Sequence, residues 1–344
     1  MNSTASQTNP RDDGFYMPGE WTGHSCCWMA WPCREGLWAH AQATQRAYAD
    51  VAHAIARFEP VKMLAPTYKL EAARALLNDG VEVIEMSIDD SWARDSGPNF
   101  LVNAAGELAG STWEFNAWGG KYAPYDQDAL MGSRILEIAG VREYPSKLVA
   151  EGGGITVDGE GTVITTETCF LNKNRNPNWT RAEVEAELCR TLGAEKVIWL
   201  PGDVGDTETD GHIDGIAAFI EPGRVLVEVN ADKTDPHYDI GQINTAALKN
   251  QKDAKGRELQ LEFIQEGIYH PGVWNGGCSS YVNAYLANGA VIVPGYGYEH
   301  DGAAVETYRK LYPERKIVQV QIHDIAVGGG GVHCITQQQP TPIA

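Results

Sequence analysis

Cys334 closes a run of four glycines in GGGGVHCITQ at 328–337. Glycines let a backbone approach a ligand closely, which makes Gly329 a candidate contact. A thiol in such a place can act as a nucleophile when its thiolate is stabilised. Taken alone, it reads equally well as an inert, buried cysteine. His212 lies in TDGHIDG, two residues before Asp214. In an extended strand the two side chains share a face, and a histidine beside a carboxylate is a general acid and base. The same segment, with Asp210, also reads as a weak metal site, although it is short of neutral ligands. Asp95 in SWARDSGP and Glu151 in AEGGG each read alone as solvated turns. Together they change the reading. Asp95, Glu151 and Asp214 supply the paired carboxylates that a planar cation such as guanidinium requires. The guanidinium carbon is a poor electrophile, so a thiolate must be held against it by fixed carboxylates. One histidine can protonate the departing ammonia and then deprotonate the entering water. Trp92, Trp113, Trp118 and Tyr122 are more often core residues than ligand platforms. Trp118 precedes two glycines, which favours a place in a site.

Residues so far apart in sequence need elements that bring them together. Four segments read as a strand, a turn and a second strand: 98–113, 154–166, 213–229 and 280–293. Their turns carry Gly, Asn or Asp, which are hairpin signals. A fifth copy is split between 332–337 and 27–31. The polar motifs that open these copies recur about every sixty residues, the mark of a structural repeat. Between hairpins lie helical stretches, each followed by a short apolar strand: 41–58 then 61–65, 180–192 then 196–200, and 302–311 then 317–320. Thr180 with Glu183 is a capping-box signal. The predicted unit is ββαβ. Five such units close naturally into a ring with the motif ends meeting at its centre, an α/β fold. The 258–274 stretch fits the repeat poorly.

The 344 residues are 43% hydrophobic and 21% charged, which suits a globular chain with a large core. The net charge of −19 argues against nucleic acid, which needs clustered Lys and Arg. It suits a cationic substrate, and also simple solubility. Residues 1–14 are polar and lack a secretory leader, and no apolar run is long enough for a membrane span. The expected location is cytoplasmic. Seven cysteines, with no paired C-x-x-C, predict neither a disulfide framework nor structural zinc.

The motifs WARDSGP, FNAWGG, EGGG with VDGEGT, TDGHID and GGGGVHCITQQQP together resemble the agmatine deiminases, a family of the guanidino-group-modifying superfamily. The resemblance runs from about residue 15 to 339. It implies a five-bladed, pseudo-fivefold α/β propeller, with 15–344 as a single catalytic domain and 1–14 as a disordered lead. It implies hydrolysis of agmatine to N-carbamoylputrescine and ammonia through a thiouronium on Cys334, without metal or organic cofactor, in an assembly expected to be a homodimer. By position, His212 is the acid and base, Glu151 bonds the guanidinium and the histidine, and Asp95 and Asp214 clamp the nitrogens. Trp92, Trp118 and Gly329 line the site, and Glu208 receives the distal amine. Gly215 and Thr156 depart from the family pattern, and 228–298 is its least familiar part. That stretch is expected to shape the rim and leaves a second reading open: a deiminase of the same superfamily acting on another guanidine or on peptidyl arginine. A non-catalytic guanidine or polyamine binder and a metal-dependent hydrolase are weaker alternatives.

Overall fold

The computed structural model describes residues 9–267 and 277–342. Three parallel strands begin the chain: β1 (His24–Ala30), β2 (Val61–Ala65) and β3 (Val81–Glu85). Four three-stranded sheets follow. They are β4 (Asn99–Val102), β5 (Leu108–Glu114) and β6 (Arg142–Val149); β7 (Ile155–Val157), β8 (Thr162–Thr166) and β9 (Lys196–Leu200); β10 (Ala217–Glu221), β11 (Arg224–Val229) and β12 (Gln260–Gln265); and β13 (Tyr285–Ala287), β14 (Ala290–Gly295) and β15 (Lys316–Gln321). In each, the first two strands pair antiparallel and the third joins parallel to the second. A hairpin gives the first pairing. The parallel one needs a crossover, which the intervening helix supplies. The last strand, β16 (Thr336–Pro340), pairs antiparallel with β1, with Gln337 opposite Trp28. Chain end and chain start thus share one sheet, and the five sheets make a five-bladed α/β propeller.

Local chemistry accounts for the elements. At the β7–β8 turn the Asp158 carboxylate accepts from the backbone N–H of Glu160 and of Thr162, each at 2.8 Å. The helix Arg181–Leu192 starts at a complete capping box, in which Thr180 and Glu183 bond each other's backbone N–H. The strands carry Val, Ile and Leu on both faces because blades and helices cover both sides. Trp28, Met29, Met63, Val163, Val227 and Val291 are all fully buried.

Three expectations change. The 258–274 stretch contributes β12, the third strand of its blade; residues 268–274 lie outside the described part. The segments at 213–215 and 332–335 are turns and not strands, like the other motif segments. Ala93–Ser96, Gly152–Gly154 and Ile213–Gly215 are single helical turns, and Val332–Ile335 is a turn, each just before the first strand of a blade. His212 and Asp214 therefore share a side through a tight turn and not through strand alternation. Asp206 fixes that turn by accepting from the N–H of Thr209 at 3.1 Å and of Gly211 at 2.9 Å. Finally, 1–14 is not uniformly structureless. Residues 1–8 are outside the described part, but 9–14 form a turn in which Asp13 accepts from Tyr144 Oη at 2.6 Å and pairs with Arg142 at 2.8 Å. No helix among the described residues is long and apolar enough to cross a membrane.

Candidate active site

The turns preceding the blades bring their side chains to one end of the propeller axis. Asp95 Oδ1 accepts from Gly153 N at 2.9 Å, and Oδ2 accepts from Trp118 Nε1 at 2.9 Å. Gly153 is required there, because an added Cβ would sit 2.5 Å from His212 Nδ1 and 2.8 Å from Asp95 Oδ1. Trp118 and Ala117 both have positive φ, 53° and 56°, an unfavourable backbone for residues with a Cβ. The bond to Asp95 and the Asn116 side chain, which accepts from Gly119 N at 2.7 Å, hold that conformation.

His212 Nε2 meets Glu151 Oε2 at 3.4 Å. Its Nδ1 makes no hydrogen bond and lies 3.8 Å from Asp95 Oδ1 and 4.0 Å from Asp214 Oδ1. Cys334 Sγ is 3.5 Å from Asp214 Oδ2. Cys334, His212, Glu151, Asp95 and Asp214 thus form one buried cluster. They belong to four different blades, with His212 and Asp214 sharing one turn.

Two contributors carry no motif signal. Arg175 is fully buried and donates from Nε to Glu151 Oε1 at 2.7 Å, and from its terminal nitrogens to Asp210 at 2.8 Å and Thr209 O at 3.2 Å. Asn283 Oδ1 accepts from the N–H of His333 at 3.0 Å and of Cys334 at 3.3 Å, while its Nδ2 lies 3.2 Å from Cys334 Sγ. In sequence Arg175 sits in a polar NKNRNP loop and Asn283 in an apolar strand start. Only the repeat phase, which places Asn283 just before β13, could have raised it.

The charges are set by burial and by neighbours. Burial pushes the Cys334 thiol well up, and the Asp214 and Asp95 carboxylates add to this, which favours the neutral thiol. Burial opposes a charged His212, yet Asp95, then Cys169 and Glu151, outweigh it and raise its pKa well above the ordinary value. Burial would raise Glu151, but Arg175 and then His212 bring it below the usual carboxylate range. Burial raises Asp95 despite His212. For Asp214 the pull of burial is overcome by His333 and His212, and its pKa falls.

A cavity of about 340 Å³ opens onto this cluster. Trp92, Trp118, Tyr122, Glu208, Gly329 and Cys334 are among its lining residues, and Asp95 and Cys334 end it. His212, Glu151 and Asp214 do not line it and lie beneath that floor. Gly330 has no room for a side chain, since a Cβ would be 2.3 Å from the Trp92 ring. Glu208 stands at the cavity wall with Oε2 accepting from Tyr122 Oη at 2.7 Å. Among the described residues, 228–298 supplies none of this cavity's lining, Asn283 from that span contacts Cys334, and 268–276 lie outside the described part. Asp210 is taken by Lys121, Asn174 and Arg175, so it does not join His212 and Asp214 as a metal-ligand set. Glu151, Cys169 and His212 do come within 4.8 Å of one another, with Arg175 already on Glu151.

The fold and the cluster define an α/β propeller with a thiol–imidazole–carboxylate centre at one end of its axis. Comparison narrows this class. Residues 16–340 match the family of Porphyromonas-type peptidyl-arginine deiminases. The agmatine deiminase of Stutzerimonas stutzeri is 44% identical over 366 residues, covering 98% of this chain and 99% of that protein. That of Pseudomonas fluorescens is 42% identical over 362 residues, with 97% and 98% covered. The solved structure of Enterococcus faecalis agmatine deiminase superposes with a TM-score of 0.95 at 37% identity, covering 98% of this chain and 99% of that one. The chain belongs to the Porphyromonas-type peptidyl-arginine deiminase family.

Proposed function

We propose that this protein hydrolyses agmatine to N-carbamoylputrescine and ammonia. The observation that carries the reading is one cavity with Cys334 and Asp95 at its floor, Glu208 at its wall and no Lys or Arg in its described lining. Such a cavity suits a substrate cationic at both ends and offers nothing to a carboxylate. The agmatine deiminases similar to this chain support the same substrate.

The chemistry follows from the charges. The planar cation reaches Asp95 and Cys334 at the end of the cavity, and its positive charge offsets Asp95 and the nearby Asp214, the two carboxylates that hold the thiol proton in place. That proton passes to solvent. The thiolate forms a C–S bond to the guanidinium carbon and gives a tetrahedral adduct. His212, already cationic, gives a proton to one nitrogen, and the C–N bond breaks to release ammonia. An S-alkylthiouronium remains on Cys334. His212, now neutral, takes a proton from water as the oxygen bonds to carbon. The C–S bond then breaks, the carbonyl forms, and its proton returns to the thiolate. Glu151 orients and charges His212 throughout. The balance is agmatine plus water to N-carbamoylputrescine plus ammonia.

The test measures ammonia and ureido product from agmatine, arginine and other guanidines without added metal. Rapid turnover of agmatine, with arginine slower by orders of magnitude, is expected. Arginine or a peptidyl arginine as the faster substrate would overturn the assignment, and Glu208→Gln should raise KM for agmatine far more than it lowers kcat.

A further inference from the structure

Asp214 is approached from two sides. On one, its Oδ2 is 3.5 Å from Cys334 Sγ, and Oδ1 is 4.0 Å from His212 Nδ1. On the other, the same Oδ2 meets His333 Nδ1 at 2.8 Å, and His333 Nε2 meets Glu20 Oε1 at 2.9 Å. Glu20, His333 and Asp214 line a second cavity, of about 460 Å³, that is otherwise mainly apolar. His333 does not line the cavity that ends on Cys334. It meets Asp214 on the side of the second cavity, where Glu20 also lies. The side chain is buried, and its neighbours fix it. Asn283 Oδ1 accepts from its backbone N–H at 3.0 Å, and Arg94, itself buried, donates to its carbonyl at 3.4 Å and to Glu20 at 3.3 Å.

We propose that His333, clamped by Glu20, is a positioning residue that keeps Asp214 ionised and aimed at the reacting carbon. Asp214 is buried beside a second carboxylate, Asp95, so burial and that neighbour both favour its protonated form. The titratable and charged groups facing it are His333, His212, Asp95, Cys334, Cys278 and, further back, Arg94. Of the two imidazoles, His212 is used by the reaction and changes charge within it. His333 is not, so it supplies a constant positive partner while His212 gives up and regains its proton. Glu20, held well below the ordinary carboxylate range chiefly by His333 and Arg94 against burial, in turn raises the pKa of His333 against burial and the nearby Arg94.

This inference rests on the proposed deiminase reading, and the test separates the two. The dependence of kcat/KM on pH is measured with agmatine for wild type, Glu20→Gln, His333→Gln and His333→Phe. Asp214 and Asp95 titrate as a coupled set, so loss of the cation raises the apparent pKa that limits activity on the acid side. The acid limb should move up by about one pH unit in both His333 variants, and in the same direction but less in Glu20→Gln. His333→Gln, which can still donate to Asp214, should recover most of the kcat lost in His333→Phe without recovering the limb. Should His333→Phe fail to fold, Glu20→Gln and His333→Gln carry the test. Active wild type with an unmoved acid limb in the folded variants overturns the inference alone. A wild type inactive on every guanidine overturns the function and the inference with it.

Discussion

Arg175 determines whether Glu151 can be an anion in a place where neither is exposed. Breaking one side of a buried pair leaves an uncompensated charge, at a cost of roughly 3–5 kcal/mol. Arg175→Met should lower stability by that order in urea unfolding, and any folded fraction should be nearly inactive. Asn283 holds the backbone of Cys334 and faces its sulfur, so Asn283→Ala should lower kcat by about a hundredfold, as small misplacements at a reacting centre do, and lower stability by about 1–3 kcal/mol, because the N–H groups of His333 and Cys334 lose their buried acceptor. The sequence showed the reactive residue types because each sits in a glycine-rich motif. It did not show Arg175 or Asn283, whose meaning lies in partners 24 and 51 residues away. His333 was visible as a letter beside Cys334 and had no reading until Glu20 and Asp214 were placed on either side of it.

At the scale of elements, turn chemistry was the most legible. The hairpin turn at Asp158–Gly161 and the capping box at Thr180 stand where residue types alone put them. The turns at Asp95 and Glu151 were read as turns, but those at His212–Asp214 and Val332–Ile335 were misread as strands, because three or four residues give no periodicity to distinguish a helical turn from an extended segment. One such turn makes a pH prediction. Asp128 accepts from the N–H of Asp89 at 2.8 Å and of Asp90 at 3.2 Å, and so shapes the approach to Trp92 and Asp95. Burial raises its pKa to about 7. A carboxyl raised in the folded state contributes most below its unfolded value, near pH 3.9, and loses that contribution as pH rises to about 7. Asn does not titrate and can accept the same two bonds. Asp128→Asn should thus gain stability relative to wild type across this window, by a few kcal/mol at its upper end. Thermal unfolding of both proteins against pH reads this directly; parallel curves would contradict it.

For the whole molecule, the repeat of about sixty residues carried the architecture. It also indicated that the ring closes by pairing chain end with chain start, as β16 and β1 do. The blade that resisted placement did so because its third strand, β12, QLEFIQ, is half polar and carries no continuous apolar run. A net charge of −19 surrounds a cavity that holds Asp95 and Glu208. Long-range attraction of a dication is screened within about 10 Å at 0.1 M salt. The kcat/KM for agmatine should therefore fall as salt rises, chiefly through KM, whereas a salt-independent value would assign the charge to solubility alone.

The central claim is a covalent bond from Cys334 to the guanidinium carbon. Rapid acid quenching of wild type during turnover of agmatine, followed by peptide mass spectrometry, tests it most directly. The account predicts a modified peptide containing Cys334 whose added mass is agmatine less ammonia, absent from Cys334→Ala, which should release no ammonia. Sustained turnover by Cys334→Ala, or an adduct on another residue, would contradict it.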